Sequence, residues 1–441
     1  MGKYFGTDGV RGRYGDDLTV DLAASLGHAA ALVLARGHPR PRVLIGRDTR
    51  ASGEPLEQAL IAGIARAGGE ALLAGVIPTP AVAHLTHVYD CQAGAVISAS
   101  HNPAPDNGIK FFGPDGRKLP DAVEDDIESI LEHGDGPDDV PGRAEKLTDA
   151  DERYLSFLQP EAMALNGLRV VVDCANGASY RVAPEAYRRA GADVIAFAVD
   201  PDGSNINDGV GSTHPDPVRE VVLGHSANIG IAHDGDADRL IAVDERGELV
   251  DGDQILAICA LEAKARHALP GNAVVSTVMA NLGFRRAMAD AGIEVVETAV
   301  GDRYVLEAML EREIAMGGEQ SGHLIFLDHH TTGDGIYTAL RLLGVMSSTG
   351  KTLSELAAAA PRAPQILLNV PDVDRERLDD ATVVWDEVRR VESELGSDGR
   401  VLLRVSGTEP VVRVMVEATT DAAASSAAER IAKAVRETLG E

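Results

Sequence analysis

The sequence of 441 residues is poor in aromatic side chains, which make up 4% of it and include a single tryptophan. Alanine is abundant instead, and the chain contains 46 glycines. Small side chains suit closely packed layers of helices and sheets better than they suit β-sandwiches. The composition therefore favours an α/β fold, and the length predicts three or four domains.

Cysteine and long hydrophobic runs are also scarce. The three cysteines, Cys91, Cys174 and Cys259, lie in apolar stretches without metal-ligand spacing, which indicates reduced core thiols in a reducing compartment. The start of the chain, 1–6, has no apolar signal region. Because no run reaches the ~18 apolar residues of a membrane span, we expect a cytoplasmic protein with no membrane partner.

Positive charge is in short supply as well. The 41 Lys and Arg residues face 69 Asp and Glu residues, so that the formal net charge is −28. An acidic chain of this kind disfavours broad binding to nucleic acid or to anionic membranes. It can still hold a local basic pocket for a small anionic substrate.

A polar loop, Ser-Ala-Ser-His-Asn-Pro at 98–103, follows the apolar run 93–97, which is typical of a buried strand. Ser100 next to His101 invites a hydrolase interpretation, but the nucleophile pattern G-x-S-x-G is absent. Adjacent side chains of an extended segment point to opposite faces, so we expect His101 to be poorly placed as a base for Ser100. Taken alone, the loop could simply close a strand.

An internal repeat in the sequence supports a functional role for this loop. Three units share the order strand, polar loop, helix, Ala-Gly junction, strand, and then a further strand that runs into a polar loop. The three final loops are 98–103, 233–239 and 317–323. Alternating strands and helices predict largely parallel sheets, and ligands gather at the carboxyl ends of such strands. If the three units face one another, the three loops can converge on one cleft.

The loop His-Asp-Gly-Asp-Ala-Asp-Arg at 233–239 carries three carboxylates at alternate positions, Asp234, Asp236 and Asp238. Carboxylates this close repel one another unless a cation neutralises them, and oxygen ligands suit Mg²⁺. One alternative is a solvated acidic turn. Another is an EF-hand calcium loop, but Arg239 stands where that loop needs glycine, and predicted strands flank the segment.

Four further segments combine polar groups with glycine. The loop 317–323 offers Glu319, Ser321 and His323 for the hydroxyls of a sugar, and 330–335 follows it. Near the N-terminus, the glycine-rich segment 5–12 contains Arg11, which can approach a phosphate. The segment 404–413 is compatible with a phosphate nest or with a plain hairpin turn; its candidate ligands are Arg404, Ser406, Gly407, Thr408 and Arg413.

Together these loops supply a serine, a carboxylate metal site, a reader of hydroxyl groups and a distal phosphate clamp. That set predicts phosphoryl transfer on a phosphosugar. No Walker A motif or kinase glycine loop is present, so ATP is not the expected donor.

These motifs, in this order along the whole chain, resemble the α-D-phosphohexomutase superfamily. The residues that carry the resemblance are Ser-Ala-Ser-His-Asn-Pro at 98–103, Asp-Gly-Asp-Ala-Asp-Arg at 234–239, Gly-Glu-Gln-Ser-Gly-His at 318–323 and Arg-Val-Ser-Gly-Thr-Glu-Pro at 404–410. Within the superfamily, the chain is most similar to members that act on glucosamine phosphates. The features are the segments 5–12, 300–304 and 331–335 and the residue Gln320, where mannose- and glucose-phosphate relatives typically have Met.

The resemblance implies four domains in a heart-shaped arrangement: three similar α/β domains with mixed sheets and a smaller C-terminal α+β domain. We place them at 1–152, 153–253, 254–366 and 367–441. The Gly/Pro/Asp-rich stretch 132–139 is expected to be a surface loop near the first boundary.

The resemblance also implies that Ser100 is carried as phosphoserine and that Mg²⁺ is held by Asp234, Asp236, Asp238 and the Ser100 phosphate. The implied reaction interconverts glucosamine 6-phosphate and glucosamine 1-phosphate through a bisphosphate, for amino-sugar nucleotide and cell-wall precursor synthesis. Glucosamine or glucose 1,6-bisphosphate is the implied activator, and a homodimer is possible.

Lys110, His101 and Arg11 lie on motifs near the reacting group. Lys110 is our first candidate for moving the proton or stabilising charge and His101 the second, although the sequence does not decide between them. Three rival functions stay open: the same fold acting on mannose or glucose phosphates, a metal-dependent phosphatase that uses an Asp-x-Asp nucleophile, and a non-catalytic acidic metal-binding protein.

Overall fold

A computed structural model describes residues 3–6, 8–35, 38, 40–133, 143–159, 164–406 and 411–440. The chain divides into two compact units. The first comprises Met1–Met279 and Ile293–Ala359, and the second comprises Ala280–Gly292 and Ala360–Glu441. Among the described residues, no helix combines the length and the apolar character needed to cross a membrane.

The first stretch of the first unit is built around a six-stranded sheet. Its elements are β1 (Val10–Arg13), α1 (Val20–Ala35), β2 (Arg42–Arg47), α2 (Gly53–Arg66), β3 (Glu70–Val76), α3 (Thr79–Val88), β4 (Ala93–Ile97), β5 (Asp106–Phe112), α4 (Asp121–His133), β6 (Arg143–Lys146) and α5 (Ala150–Leu158). The strand order is β1-β5-β4-β2-β3-β6.

A five-stranded sheet follows, in the order β11-β10-β9-β7-β8. Its elements are β7 (Arg169–Asp173), α6 (Val182–Arg189), β8 (Asp193–Phe197), α7 (Asp216–His225), β9 (Ile229–Ala232), β10 (Ile241–Asp244) and β11 (Leu249–Val250). The loop between β9 and β10 is the acidic loop, and strands flank it as predicted, which excludes an EF-hand.

The third sheet has four strands in the order β13-β12-β14-β15. This part of the chain contains α8 (Gly252–Ala265), β12 (Ala273–Thr277), α9 (Leu282–Asp290), β13 (Glu294–Thr298), α10 (Asp302–Arg312), β14 (Met316–Gly318), β15 (Leu324–Phe326), α11 (Gly335–Thr349) and α12 (Leu353–Ala357). The helix α9 belongs to the second unit.

The three sheets of the first unit share one topology, which confirms the repeat. In each, a central strand pairs in parallel with the next strand and with the strand after it: β2 with β3 and β4, β7 with β8 and β9, and β12 with β13 and β14. An antiparallel strand, β5, β10 or β15, then pairs with the last of these. The sheets are therefore mixed, and β4, β9 and β14 deliver their loops from equivalent positions.

Burial explains why these central segments are strands. Every residue of β4, β9 and β12 is buried. Strands covered on both faces read as continuous runs of small and branched apolar residues, without alternation. The same runs in the sequence predicted these strands.

The second unit contains a three-stranded antiparallel sheet in the order β16-β18-β17. The three strands are β16 (Gln365–Pro371), β17 (Gly399–Val405) and β18 (Val411–Ala418). Two further helices of this part of the chain are α13 (Thr382–Leu395) and α14 (Asp421–Leu439). Helix α13 contains Trp385, the strands β17 and β18 follow it, and helix α14 comes last. The smaller C-terminal α+β domain is thus confirmed.

Two edge strands were missed by the sequence patterns. The segment 5–12 was interpreted as a loop, but its end belongs to β1, because Val10 is buried and pairs with Ile109. The opening of the last domain was not predicted as a strand, but Asn369–Pro371 end the strand β16. Proline is tolerated there because β16 lies at the edge of its sheet.

The predicted surface loop 132–139 is helical at its start, because α4 continues to His133. Its residues 134–139 lie outside the described part of the chain.

Four rings form a continuous stack in the first unit. The ring centroids of His84 and Phe157 are 3.7 Å apart, those of Phe157 and His329 are 4.1 Å apart, and those of His329 and Tyr337 are 3.7 Å apart. In the adjoining His330, Nδ1 accepts from the N–H of Thr331 at 2.8 Å, and Nε2 lies 2.9 Å from Pro80 O. Because Nδ1 is the acceptor, Nε2 carries the proton. These contacts hold neutral imidazoles between α3, α5 and α11.

Acid is expected to destabilise this stack. Burial, together with the nearby His87, lowers the pKa of His84 to about 4, and burial, together with His84 and Arg341, lowers that of His329 to about 4. The unfolded chain takes up protons at an ordinary pKa of about 6.5, so the free energy of unfolding should fall as pH falls from about 6.5 to about 4.

The measurement is the melting temperature as a function of pH for the parent and for His329→Phe, which retains a stacking ring. We expect the variant to lose less melting temperature than the parent across this window. The matched control is His214→Gln, on an exposed loop. Parallel curves for the parent and His329→Phe would contradict the assignment.

Candidate active site

The loop 98–103, called the serine loop from here on, begins where β4 ends. Within it, Ser100 is buried and has a left-handed backbone conformation (φ 50°). Ser100 Oγ donates to Asp234 Oδ2 at 2.5 Å. It also lies 3.3 Å from His101 Nδ1. The expectation that His101 points away from Ser100 was wrong, because it assumed an extended chain, whereas the left-handed turn at Ser100 brings the two side chains to one side.

His101 is therefore a neighbour of the serine hydroxyl. Burial, reinforced by the positive charges of Arg239 and Arg11, lowers the pKa of His101 to about 4. The imidazole is thus neutral near pH 7, and it could accept a proton.

The acidic loop between β9 and β10 brings Asp234, Asp236 and Asp238 together, each buried, with ligand oxygens within 4.8 Å of one another. Thr79 Oγ1 donates to Asp236 Oδ2 at 2.6 Å. The backbone N–H of Arg239 donates to Asp234 Oδ1 at 3.3 Å. These hydrogen bonds orient the carboxylates of Asp234 and Asp236.

The donor set fits a divalent cation. Within the described residues, Asp236 Oδ1 and Asp238 Oδ1 are buried without a hydrogen-bond partner. Burial and the charges of Asp238 and Asp236 raise the pKa of Asp234 well above its ordinary value. Since isolated buried carboxylates are unfavourable, a hard cation that accepts several oxygen ligands, such as Mg²⁺, would stabilise this cluster.

Lys110, on β5, provides a positive charge close to the carboxylates. Its Nζ lies 3.2 Å from Asp8 Oδ1, 3.8 Å from Asp236 Oδ2 and 3.9 Å from Asp238 Oδ2. Burial lowers the pKa of Lys110, but these three carboxylates outweigh it and raise the pKa above its ordinary value. Arg11 forms an ion pair with Asp8 at the same edge of the site.

In the loop 317–323, called the sugar loop from here on, Glu319 and Ser321 lie beside each other, whereas His323 contacts the acidic loop. Glu319 Oε1 accepts from the N–H of Gly301 at 3.0 Å, and Ser321 Oγ lies 3.5 Å from Glu319 Oε2. His323 is buried, with its Nδ1 3.5 Å from Asp238 Oδ2. The side chain of Gln320 has a different partner, because its amide donates to Asp251 Oδ2 at 3.3 Å.

The structure thus brings the loops after β4, β9 and β14 into contact within the first unit. Ser100 touches the acidic loop, and His323 joins the acidic loop to the sugar loop.

The C-terminal candidates lie in the second unit. Arg404 on β17 stands directly opposite Arg413 on β18. Burial and the charge of Arg413 lower the pKa of Arg404. Like charges opposite each other are unfavourable, and a bound anion would relieve this. Ser406 is buried, whereas Gly407 and Thr408 lie outside the described residues.

Sequence reasoning missed several members of the site. Lys118 Nζ lies 2.7 Å from Asp8 Oδ1 and 2.6 Å from Asp302 Oδ2. Asp302 in turn lies 3.8 Å from His323 Nε2. Asp8 and Asp302 belong to segments already singled out, but Lys118 and Thr79 carry no local signal, because only long-range packing gives them their partners.

Comparison with known proteins agrees with this geometry. Family models of phosphoglucomutase/phosphomannomutase match the chain at residues 2–137 (alpha/beta/alpha domain I), 152–247 (domain II), 251–363 (domain III) and 367–434 (C-terminal domain). The chain belongs to the phosphoglucomutase/phosphomannomutase family.

The similarity extends to particular enzymes. The chain is 55% identical to a phosphoglucosamine mutase of Thermobifida fusca over 446 aligned residues, which cover 100% of this chain and 99% of the relative. It is 53% identical to a phosphoglucosamine mutase of Streptomyces avermitilis, with both chains fully covered. A crystal structure of a phosphoglucomutase/phosphomannomutase family protein from Burkholderia thailandensis superposes with a TM-score of 0.83 at 26% identity, covering 98% of this chain and 97% of the other.

Proposed function

We propose that the protein interconverts glucosamine 6-phosphate and glucosamine 1-phosphate, with Ser100 as the carrier of the phosphoryl group. The observation that supports this most strongly is the 2.5 Å contact between Ser100 Oγ and the buried carboxylate of Asp234. A hydroxyl at a cluster of metal-binding carboxylates suits phosphoryl transfer. Relatives at 53–55% identity carry the name of this activity.

In the first half-reaction, the free hydroxyl of the sugar phosphate attacks the phosphorus of phosphorylated Ser100. The new O–P bond forms, the Oγ–P bond breaks, and the proton of the attacking hydroxyl passes to a neighbouring base. The sugar bisphosphate then turns over in the site, and Ser100 Oγ attacks the phosphate at the other position. The bond between this phosphorus and its sugar oxygen breaks, and the sugar oxygen takes up the proton that the base received. The second transfer releases the isomer and restores phosphoserine.

Lys110 is our first candidate for moving the proton or stabilising the charge, and His101 is the second. Lys110 Nζ lies within 3.9 Å of two of the acidic-loop carboxylates, close to where charge develops on the phosphoryl group. His101 Nδ1 lies 3.3 Å from Ser100 Oγ. Arg11 adds a cation at the same edge and is assigned to binding phosphate.

Asp234, Asp236, Asp238 and the Ser100 phosphate would hold the metal, for which we propose Mg²⁺. When bound, Mg²⁺ offsets the negative charge of the transferring phosphoryl group. A glucosamine or glucose 1,6-bisphosphate would phosphorylate Ser100 initially. Cytoplasmic location, a homodimer and the four domain boundaries stay predictions.

The amino sugar is expected to be selected by Glu319. Its carboxylate can form a charge-assisted hydrogen bond with the C2 ammonium, worth about 1.5–3 kcal/mol, or roughly tenfold to a hundredfold in specificity. Glu319→Gln keeps an oxygen for the N–H of Gly301, so the loop should persist. We therefore expect kcat/KM for glucosamine 6-phosphate to fall by about that factor, and kcat/KM for glucose and mannose 6-phosphates to change little.

The matched comparison is Arg413→Ala, in the proposed phosphate clamp with Arg404, Ser406, Gly407 and Thr408. Since every hexose phosphate carries the non-reacting phosphate, this change should raise KM for all three sugars alike. A parent enzyme that prefers glucose or mannose 6-phosphate would shift the assignment to the runner-up function, a phosphomannomutase/phosphoglucomutase. Release of inorganic phosphate without isomer would instead indicate the metal-dependent phosphatase.

A further inference from the structure

The backbone of the serine loop is held by an arginine that belongs to none of the motifs singled out above. Arg50 Nη2 donates to Ser100 O at 3.0 Å and to Asn102 O at 2.8 Å, and Arg50 Nη1 donates to Pro103 O at 2.5 Å. The side chain is fully buried and forms an ion pair with Asp48 at 2.8 Å. One rigid guanidinium therefore fixes three carbonyl groups of the loop.

A second side chain donates to two of the same carbonyl groups. Asn207, between β8 and α7, donates from Nδ2 to Ser100 O at 2.9 Å and to Asn102 O at 3.0 Å. Its own backbone N–H donates to Ala175 O at 2.9 Å, which anchors it. The carbonyl of Ser100 thus accepts hydrogen bonds from both the first and the second sheet region.

The N–H of Ser100 is also occupied. It donates to Ser98 Oγ at 3.0 Å, and Ser98 Oγ in turn donates to Asp48 Oδ2 at 2.6 Å. Asp48 therefore connects the donor side of the Ser100 residue to Arg50 on its acceptor side. Both polar backbone atoms of Ser100 are bound.

The acidic loop is packed directly against this arrangement. A Cβ atom on Gly235 would lie 2.6 Å from Ser100 O and 2.9 Å from Asn207 Nδ2. Contacts that short do not occur, so the loop that carries Asp234 and Asp236 can approach only because residue 235 is glycine. The position of Ser100 relative to the carboxylates is set by this contact.

We propose that Arg50 and Asn207 are positioning residues for phosphoryl transfer. They hold the Ser100 residue in its left-handed conformation, which directs Oγ at the acidic loop and not away from it. Neither side chain needs to touch the substrate. The inference rests on the proposed role of Ser100 as the phosphoryl carrier.

The decisive variants are at Asn207. Asn207→Asp keeps the size and the tolerance for its left-handed backbone (φ 57°) but removes the amide donor, and Asn207→Ala removes it without adding charge. Both should lower kcat by about 10- to 100-fold, because a small misplacement of a reacting group costs that much, while KM stays within about threefold. Arg50→Lys, which keeps the charge but loses the fork, should act in the same direction.

The second readout is the rate at which each variant gains one phosphoryl group from glucose 1,6-bisphosphate, followed by intact mass, with melting temperature measured alongside. A slow gain at an unchanged melting temperature supports positioning. The matched control is Asn205→Asp, whose side chain, among the residues that the structure describes, bonds only within its own loop, to Asp200 O and the N–H of Asp202. It should leave kcat unchanged.

Both Asn207 variants within twofold of the parent in kcat and phosphorylation rate would overturn the inference, whatever Arg50→Lys does to folding. A drop confined to Asn207→Asp would assign the effect to added charge and would also overturn it. Failure of the proposed function itself is distinguishable, because in that case Ser100→Ala would retain activity and the parent would gain no phosphoryl group.

Discussion

Ser100→Ala is expected to lower kcat by at least about a thousandfold, the scale on which removal of a nucleophile acts. The reason is chemical, because alanine has no oxygen to carry the phosphoryl group between the two positions of the sugar. The protein should stay folded, since the change deletes a single hydroxyl. In the parent this hydroxyl donates to Asp234.

The measurement is the rate of isomer formation, together with the intact mass after incubation with glucose 1,6-bisphosphate. The parent should gain one phosphoryl group and Ser100→Ala none. Activity of the variant within tenfold of the parent would rule out Ser100 as the carrier.

Ser98→Ala is a poor control, although Ser98 is a serine in the same loop, two residues before Ser100. Ser98 Oγ accepts from the N–H of Ser100 and donates to Asp48, so its loss should disturb the same loop. Ser204→Ala is the better control, because Ser204 is exposed and its hydroxyl donates within its own turn, to Asp202.

Removal of the metal is expected to have an effect as large. In excess chelator, turnover should stop, and added Mg²⁺ should restore it, because three buried carboxylates and a phosphoryl group cannot be brought together without a cation. Mg²⁺ should also raise the melting temperature, since a ligand at a hundred times its Kd stabilises the folded state by about 2.7 kcal/mol.

The variant that tests the site is Asp236→Asn, which keeps the side-chain shape and removes one of the three charges. The Mg²⁺ concentration for half-maximal activity should rise by about tenfold or more, the cost of one charged contact. In chelator, the variant should melt no lower than the parent, because the repulsion within the cluster is reduced. Asp193→Asn, at an exposed ion pair with Arg169, is the control.

Activity that persists in excess chelator would show that the acidic cluster is not the catalytic metal site. An unchanged Mg²⁺ requirement in Asp236→Asn, with full activity, would remove Asp236 from the set of ligands.

Much of the fold was predictable because its information is local. The buried runs of β4, β9 and β12 have the composition of covered strands, and the Ala-Gly junctions mark where helices end. These features recur with the same order in each repeat, so the three like sheets followed from the sequence. Edge strands such as β1 and β16 did not, because a strand with a solvated side has only a weak local pattern.

The candidate site shows the same division. The three aspartates could be assigned to one cation site from their alternate spacing in a single loop. The conformation of Ser100 could not be assigned, because a left-handed serine arises only when other groups stabilise it. For that reason the relation between Ser100 and His101 was predicted wrongly.

The sequence by itself determined the chemistry available to this protein: a serine, three alternating carboxylates, hydroxyl-binding groups between glycines, and an α/β frame that presents them at strand ends. Only the tertiary structure decided which of these groups meet. Ser100 and Asp234 are 134 residues apart in the chain, and Ser100 and Asn207 are 107 apart. Such contacts depend on how sheets pack over long sequence separations, whereas propensity and periodicity act over a few neighbouring residues.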